Sequence, residues 1–335
     1  MLRWEVLTSS DPRWGGLGRM PGATVFHSAR WCRALERGFG GAVEAAALVD
    51  DSGAVAAAWP ACRLRLGPVR MLYGVFPKGN FVGAAEAVLP QLPALPERLR
   101  RQGIHAVRMI ACEDDPVRDL PGARRTSQVR HVLPLAGKTA AALWEGYRQV
   151  VRRQVRQAQR AGLAVRPMRR DEFPAFHAMQ REMLARNASA TGLAPQFHEA
   201  IWDELAGDGT AEFLAAEKSG DVAAAIVGIH DGATTYYFAG CSRTAALGLR
   251  PNDLLMHALI ERAAARGAAR LDMLSSDARD AGLIRFKEKW GAQPRPFDLL
   301  EWWFSRGRRW MWDAGMAVAR HPAGAALVRL LRRER

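Results

Sequence analysis

Three strand-forming runs follow one another between Glu212 and Ala239: Glu212 to Glu217, Val222 to His230 and Thr234 to Ala239. The segments between them, Ser219-Gly220-Asp221 and Asp231-Gly232-Ala233, are turn-formers, so each run folds back beside its predecessor as an antiparallel hairpin. A meander of this kind makes the middle of a sheet, and the flanking chain must supply the remaining strands and the helices that cover it.

Upstream, Ala141 to Ala161 is a strongly basic helical stretch in which Leu143, Tyr147, Val151 and Val155 step by four along one face, and Gly162 closes it. Leu163 to Met168 alternates as a short strand. Asp171 is placed to cap a helix through Phe173, Phe176, Met179 and Met183, and a polar loop from Arg186 to Thr191 leads to a second helix near Phe197 to Leu205. Downstream, Pro251 and Asn252 open a helix whose apolar face is Leu254, Leu255, Ala258, Leu259 and Ala263, ended by Gly267. A strand at Leu271 to Leu274, a helix from Ile284 to Trp290 stopped by Gly291, and a strand at Phe297 to Phe304 complete this half. The order is strand, two helices, three antiparallel strands, helix, strand, helix, strand.

The first half repeats that order more loosely. A strand at Arg3 to Leu7 precedes a helix at Ala29 to Phe39, strands near Val43 to Val49 and Val55 to Leu66, a proline-punctuated helix at Val88 to Gln102, and strands at Ala106 to Ala111 and near Val129 to Leu135. A chain of 335 residues exceeds what one core organises, and 49% apolar residues suffice for two. Two similar domains are therefore expected, 1–140 and 141–305, followed by a basic Arg- and Trp-rich helical tail over 306–335. In that tail Trp310, Trp312, Val328, Leu330 and Leu331 interleave with Arg308, Arg309, Arg329, Arg332 and Arg333, and His321-Pro322 breaks it in two. Such a segment either lies on an anionic membrane surface or packs against the body with its arginines in water.

Lys and Arg total 48 against 34 Asp and Glu, a formal charge of +14, which suits an anionic partner such as a nucleic acid, a phosphorylated metabolite or a membrane. Arginine-rich, alanine-rich usage fits genomic base composition equally well. Cys32, Cys62, Cys112 and Cys241 are too widely spread for paired metal or redox motifs and read as reduced and mostly buried. No His, Cys, Asp and Glu grouping has ligand spacing, so no metal is expected. The start, Met1 to Leu7, lacks the apolar run of a secretory signal, and no stretch nears the ~20 apolar residues that span a bilayer, so a cytoplasmic location is expected.

The basic segment Val151-Arg152-Arg153-Gln154-Val155-Arg156-Gln157-Ala158-Gln159-Arg160-Ala161-Gly162 resembles a helix of FemAB-like proteins, the branch of the GNAT superfamily that builds peptidoglycan cross-bridges. Tyr236 to Ser242 (YYFAGCS), Leu249 to Leu255 (LRPNDLL) and Gly282 to Ala292 (GLIRFKEKWGA) resemble the same branch in the same order, and Phe26 to Trp31 (FHSARW) is similar to its opening helix entrance. The resemblance covers Phe26 to Phe304, and Phe-Lys-x-x-x-Gly is its most specific piece. It implies an α/β (α+β) fold of tandem GNAT-like domains, each a mixed, mostly antiparallel sheet flanked by helices. It further implies transfer of an acyl or aminoacyl group, from acyl-coenzyme A or from aminoacyl-tRNA, to an amine of a cell-envelope or polysaccharide precursor.

Two departures from the family pattern bear on the substrates. The coenzyme A loop of ordinary GNAT enzymes reads Arg or Gln, two residues, Gly, one residue, Gly or Ala, whereas Arg243-Thr244-Ala245-Ala246-Leu247-Gly248 places Ala246 where the first glycine belongs. A Cβ there obstructs the close backbone approach that pyrophosphate binding uses. Relatives that bind a nucleotide-linked muropeptide tend to carry a lysine in the first helix, which here offers Arg33 and Arg37 and no lysine.

Acyl transfer to an amine needs a neutral amine, an aligned carbonyl and stabilisation of the oxygen that becomes negative, with no obligatory covalent intermediate. The resemblance sets Lys287 beside the reacting ester, where an ammonium stabilises developing charge or holds a donor phosphate. Phe286 walls the acyl pocket or is plain core, and Trp290 shares that ambiguity. Tyr236 and Tyr237 lie on the strand where GNAT sheets open, alternation sends one hydroxyl to the cleft, and Tyr237 is preferred. Arg152, Arg153 and Arg156 either grip phosphates or form a solvated face, and Arg186 is a similar case. Asn252 either contributes to binding or caps its helix. The competing class is a non-catalytic protein on the same scaffold that binds nucleic acid or a membrane surface.

Overall fold

The computed structural model describes residues 2–115, 117–187, 193–276 and 280–320. It divides into two compact units, Met1–Ser127 with Phe297–Arg335, and Gln128–Pro296.

In the first unit, β1 (Arg3–Thr8) leads through α1 (Trp14–Leu17) and α2 (Ala29–Phe39) to β2 (Ala42–Val49) and β3 (Val55–Leu66), and these three strands are antiparallel neighbours. Ser28 starts α2 by accepting a hydrogen bond from the Trp31 amide, and Gly40 ends it with φ +65°. β4 (Val69–Gly74) turns back along β3 across Gly67-Pro68, where Gly67 takes φ +59°. The sequence reading missed β4, although Gly-Pro followed by buried Val69, exposed Arg70 and buried Met71 marks a strand. β5 (Val82–Gly83), α3 (Ala85–Val88) and α4 (Leu95–Arg101) follow, and β6 (Ala106–Cys112) lies parallel to β4. Then comes β7 (Arg124–Pro134).

The second unit contains α5 (Ala140–Gly146), α6 (Gln149–Arg160), β8 (Ala164–Pro167), α7 (Phe173–Arg186), α8 (Pro195–Leu205), β9 (Ala211–Lys218), β10 (Asp221–Asp231), β11 (Thr234–Ser242), α9 (Pro251–Ala265), β12 (Arg270–Ser275) and α10 (Ala281–Glu288). β9, β10 and β11 are the two consecutive hairpins read from the sequence. The expected single basic helix is two. The chain is extended at Tyr147 and Arg148 (ψ 144° and 145°), which turns the Tyr147 ring edge-on to Trp290. The face stepping by four survives that break, with Leu143, Tyr147, Val151 and Val155 all buried. Val151 and Val155 are fully buried, each contributing about 1.5–3 kcal/mol. Asp171 does not cap α7: Glu172 stands at the N-cap position without a side-chain cap bond, and its carboxylate instead accepts from the Arg169 amide at 2.7 Å in the short 3-10 turn Arg170–Glu172.

β13 (Gln293–Trp303) and α11 (Arg306–Arg320) end the described chain. Each unit pairs one of its strands with a strand that the sequence reading gave to the other half. Phe297 to Trp303 of β13 pair antiparallel with Cys112 to Ala106 of β6 in the first unit. β7 pairs antiparallel with β12 in the second, Leu133 facing Leu271 and Val132 facing Asp272. The boundaries expected at 140 and 305 therefore fall inside units, because the closing strands are exchanged and a hydropathy pattern does not name a strand's partner. The strand pairing in each unit is mixed and mostly antiparallel, in the orders β1-β2-β3-β4-β6-β13 and β7-β12-β11-β10-β9-β8, and helices flank the strands as expected.

Candidate active site

β11 and β12 run parallel, and their registered pairing covers Thr234 to Tyr236 against Arg270 to Asp272. β11 continues to Ser242 and β12 to Ser275, and no further pairing joins them among the described residues, so the sheet parts. Each strand carries an irregularity at the parting. On β11, Tyr237 faces Gly228 and Ala239 faces Val227, which leaves Phe238 as the extra residue. On β12, Met273 and Leu274 stand opposite the single residue His131 of β7, between the pairs Asp272 with Val132 and Ser275 with Arg130.

Leu274 adopts φ +56°, a left-handed conformation that costs a residue with a Cβ about 1–3 kcal/mol. Three contacts hold it there. The Leu274 amide donates to Asp272 Oδ1 at 2.9 Å, and the carbonyls of Leu274 and Ser275 accept from Lys287 Nζ at 2.9 and 3.1 Å. The other Asp272 oxygen accepts from Arg130 Nη1 at 2.5 Å, in an ion pair whose side chains are 1% and 7% exposed. The bulge is thus the frame in which Lys287 hangs.

Lys287 lies on α10, which Asp280 caps by accepting from the Leu283 amide at 2.9 Å. It is 2% exposed, and its two carbonyl partners carry no net charge. Burial therefore pushes its pKa down to about 8, against the opposing pull of Asp272 and Asp280. His131 is 3% exposed, with Nε2 3.8 Å from Glu288 Oε1. Burial first, and then the Lys287 charge, holds its pKa below the ordinary histidine value, so the ring is neutral at pH 7.

A second group of side chains sits along α10. Lys289 ion-pairs with Asp253 at the start of α9 and donates to Gln154 Oε1 of α6 at 3.0 Å. Its ammonium lies 4.7 Å from the Phe286 ring centroid and 5.8 Å from that of Trp290. Phe286 is half-buried beneath that charge, whereas Trp290 is 2% exposed and edge-on to Tyr147 at 5.1 Å. Its indole Nε1 has no hydrogen-bond partner among the described residues. The Tyr147 hydroxyl lies 3.4 Å from His257 Nδ1, and burial lowers the pKa of that histidine.

The remaining expected site residues are spread more widely. Tyr237 is half-buried on β11 just past the parting, with its hydroxyl over Gly240, where an added Cβ would meet it at 2.5 Å. Desolvation raises its pKa, so the phenol stays protonated. Arg152 is tied to Glu145, donating to its carboxylate at 2.9 Å, and Arg153 is exposed. Arg186 ends α7 and donates to Thr244 Oγ1 at 2.9 Å. Asn252 is not a cap: Arg250 precedes the helix at φ 62°, and the Asn252 amide reaches back to Ser242 Oγ at 3.1 Å, tying α9 to the end of β11.

Three features of the loop from Arg243 to Arg250 work against pyrophosphate binding. The Thr244 amide already donates to Glu182 Oε2 at 2.7 Å, which holds that carboxyl below its usual range. Ala246 is buried, and Pro251 at the first position of α9 has no N–H to offer. Among the described residues no group of three His, Cys, Asp or Glu is arranged to hold a metal ion. Arg130, His131 and Asp272 escaped the sequence reading, because the only signal that gathers them is the register of β7 against β12.

Residues 145–288 match the acetyltransferase (GNAT) domain family. No curated protein matches the chain in sequence. Among solved structures, FemX is similar at 16% identity over 88% of this chain and 96% of its own, with a TM-score of 0.67. The tandem GNAT protein from the clavulanic acid biosynthesis pathway is similar at 14% identity over 90% and 98%, TM-score 0.56. L-PGS from Bacillus licheniformis is similar at 12% identity over 88% and 92%, TM-score 0.56. At such identities the likeness is one of fold. The matched domain and the parted sheet make the second unit a GNAT acyltransferase domain. The two-unit fold is similar to those of FemX and the tandem GNAT protein.

Proposed function

We propose that the protein transfers an aminoacyl group from aminoacyl-tRNA to an amine of a cell-envelope or polysaccharide precursor. The observation that carries the site is Lys287, a buried ammonium fixed by two carbonyls where the sheet parts. In this reading the acceptor amine attacks the ester carbonyl, and Lys287 faces the oxygen that becomes negative. Phe286 lines the acyl pocket under Lys289, and Tyr237 lines the β11 side. Arg152, Arg153 and Arg186 meet donor phosphates, while Asn252 and Trp290 hold the frame.

The choice of donor rests on the loop after β11. The carboxylate of Glu182 on the Thr244 amide, the Cβ of Ala246 and the missing N–H of Pro251 argue against coenzyme A. FemX and L-PGS, both similar in fold, support an envelope acceptor. Thermal-shift titrations of the full chain with acetyl-coenzyme A, a longer acyl-coenzyme A and charged tRNA separate the donors, since a ligand bound only to the native state raises Tm. Charged tRNA is expected to raise Tm and acetyl-coenzyme A to leave it unchanged; the reverse pattern would overturn the donor assignment. Full turnover by Lys287→Met would overturn the site.

A further inference from the structure

The side chains of α11 divide between two environments. Trp312 turns inward, its ring centroid 6.1 Å from that of Trp303 and 5.5 Å from the Arg108 guanidinium carbon. Arg308 also anchors the helix, donating to the Pro68 carbonyl at 2.7 Å. Trp310 and Met311 turn outward, 72% and 45% exposed, and Trp310 is the most exposed large apolar side chain among the described residues. Gly307 and Ala314 are exposed as well. Positions 307, 310, 311 and 314 follow the spacing of a single helix face, so they form one outward stripe.

The charge around that stripe has one dominant sign. The helix carries Arg306, Arg308, Arg309 and Arg320 against Asp313, and the sequence beyond it adds Arg329, Arg332, Arg333 and Arg335 against Glu334. Arg309 is partly neutralised by Asp313, one turn on, at 3.6 Å. No helix of the described residues is long and apolar enough to cross a membrane. An exposed indole and thioether flanked by arginines suit the boundary between headgroups and acyl chains, where Trp is favoured and guanidinium groups meet lipid phosphates. A nucleic acid would use the arginines and leave the apolar stripe in water.

We propose that the outward face of α11 docks the protein on an anionic phospholipid surface, with Trp310 as the inserted anchor. The docking is independent of the catalytic reading, since nothing in it involves the second unit. The surface potential of an anionic leaflet draws the arginines, and the effect falls off within a Debye length, so binding weakens with salt.

The test is co-sedimentation of the full chain with phosphatidylcholine vesicles, with and without phosphatidylglycerol. Wild-type protein is expected to pellet with the phosphatidylglycerol vesicles at low salt and to be released at high salt. Trp310→Ser should cut the bound fraction about tenfold at fixed lipid while leaving Tm unchanged, because its side chain is mostly in water already. Arg306→Gln combined with Arg309→Gln should remove the preference for phosphatidylglycerol. Equal pelleting of Trp310→Ser and wild type would overturn the proposal. So would a Tm loss in Trp310→Ser, which would mean that the chain's own tail covers the indole, or a wild-type dimer dissociated by the substitution, which would mean that a second copy does. Binding to RNA with indifference to vesicles would overturn it as well.

Discussion

Raising the pH from 7 to 9 should slow turnover about tenfold while making the folded protein more stable. The perturbation acts on Lys287, whose pKa is held down to about 8 by burial between the Leu274 and Ser275 carbonyls. A group titrating there is roughly nine-tenths protonated at pH 7 and roughly one-tenth protonated at pH 9, so a reaction that needs the ammonium slows about tenfold. Stability moves the other way. In the unfolded chain the lysine keeps its ordinary pKa of 10.5, so between about 8 and 10.5 the unfolded state binds more protons than the native one. Stability therefore rises with pH across that window, by up to ~3 kcal/mol. Alkaline denaturation would lower activity and stability together. The assay is the initial rate of acyl transfer at saturating donor from pH 6 to pH 10, with thermal melts in the same buffers. The acceptor amine also loses its proton in this range, so the informative quantity is the ratio of wild type to Lys287→Arg, which keeps its charge throughout. That ratio should fall through a single ionisation near 8. Lys287→Met should lower the rate at every pH, on the order of a hundredfold to a thousandfold. A ratio flat to pH 10, or one rising through 8, would refute the assignment of the ammonium as the working form.

Asp272→Asn takes the carboxylate from the buried Arg130 and should cost about 3–5 kcal/mol in urea unfolding. The same substitution removes the charge that supports the Lys287 ammonium, so the activity limb should move below pH 8; a limb that stays put would show that Asp272 does not act on Lys287. Acid should destabilise both units, because burial holds His27 and His198 at about 4. Between 6.5 and 4 the unfolded state binds more protons, so stability present at neutral pH is lost as pH falls, up to ~3 kcal/mol per histidine. Melts at pH 7 and pH 4.5 check this, with His198→Gln expected to flatten part of the slope and an unchanged slope counting against it. Gly228→Ala places a Cβ 2.6 Å from Leu259 Cδ1, and Leu259 is fully buried, so about 1–3 kcal/mol of overpacking should appear as a lower Tm.

What could be read from the sequence was what is encoded locally. The hairpins of β9, β10 and β11 announce themselves through Ser219-Gly220-Asp221 and Asp231-Gly232-Ala233, and α9 through Pro251 and a face of leucines. Strand exchange is not encoded that way. β7 looks like the natural end of the first repeat, and only its pairing with β12, Arg130 reaching Asp272 across 142 residues, reveals where it belongs. The site divides on the same line. Phe286 and Lys287, which we propose for the site, lie in one contiguous motif, whereas the bulge, the Arg130–Asp272 pair and His131 come together only once two distant strands align. Tyr147 shows a third case, in which the apolar step of four was right and the helix through it was not, because packing against Trp290 and His257 outweighs continuing the backbone ladder.

Composition makes a further argument about Lys287. Only five of the chain's 48 basic residues are lysines, at 78, 138, 218, 287 and 289. In a chain that uses arginine for 43 of its 48 basic positions, a lysine in the interior points to a need that arginine does not meet. Lys138 and Lys218 are exposed, whereas Lys78 is 7% and Lys287 2% exposed, and Lys289 is half-buried between Asp253 and two aromatic rings. At position 287 the need is geometric and acid–base at once. A single compact ammonium donates to two adjacent backbone carbonyls of a bulge, whereas a guanidinium spreads its donors over a planar fork. An ammonium also loses its proton when desolvated, and arginine does not. If both properties matter, Lys287→Arg should retain some activity, lose its pH limb, and show a raised KM from the displaced bulge, whereas a charge-only role would leave KM as it was.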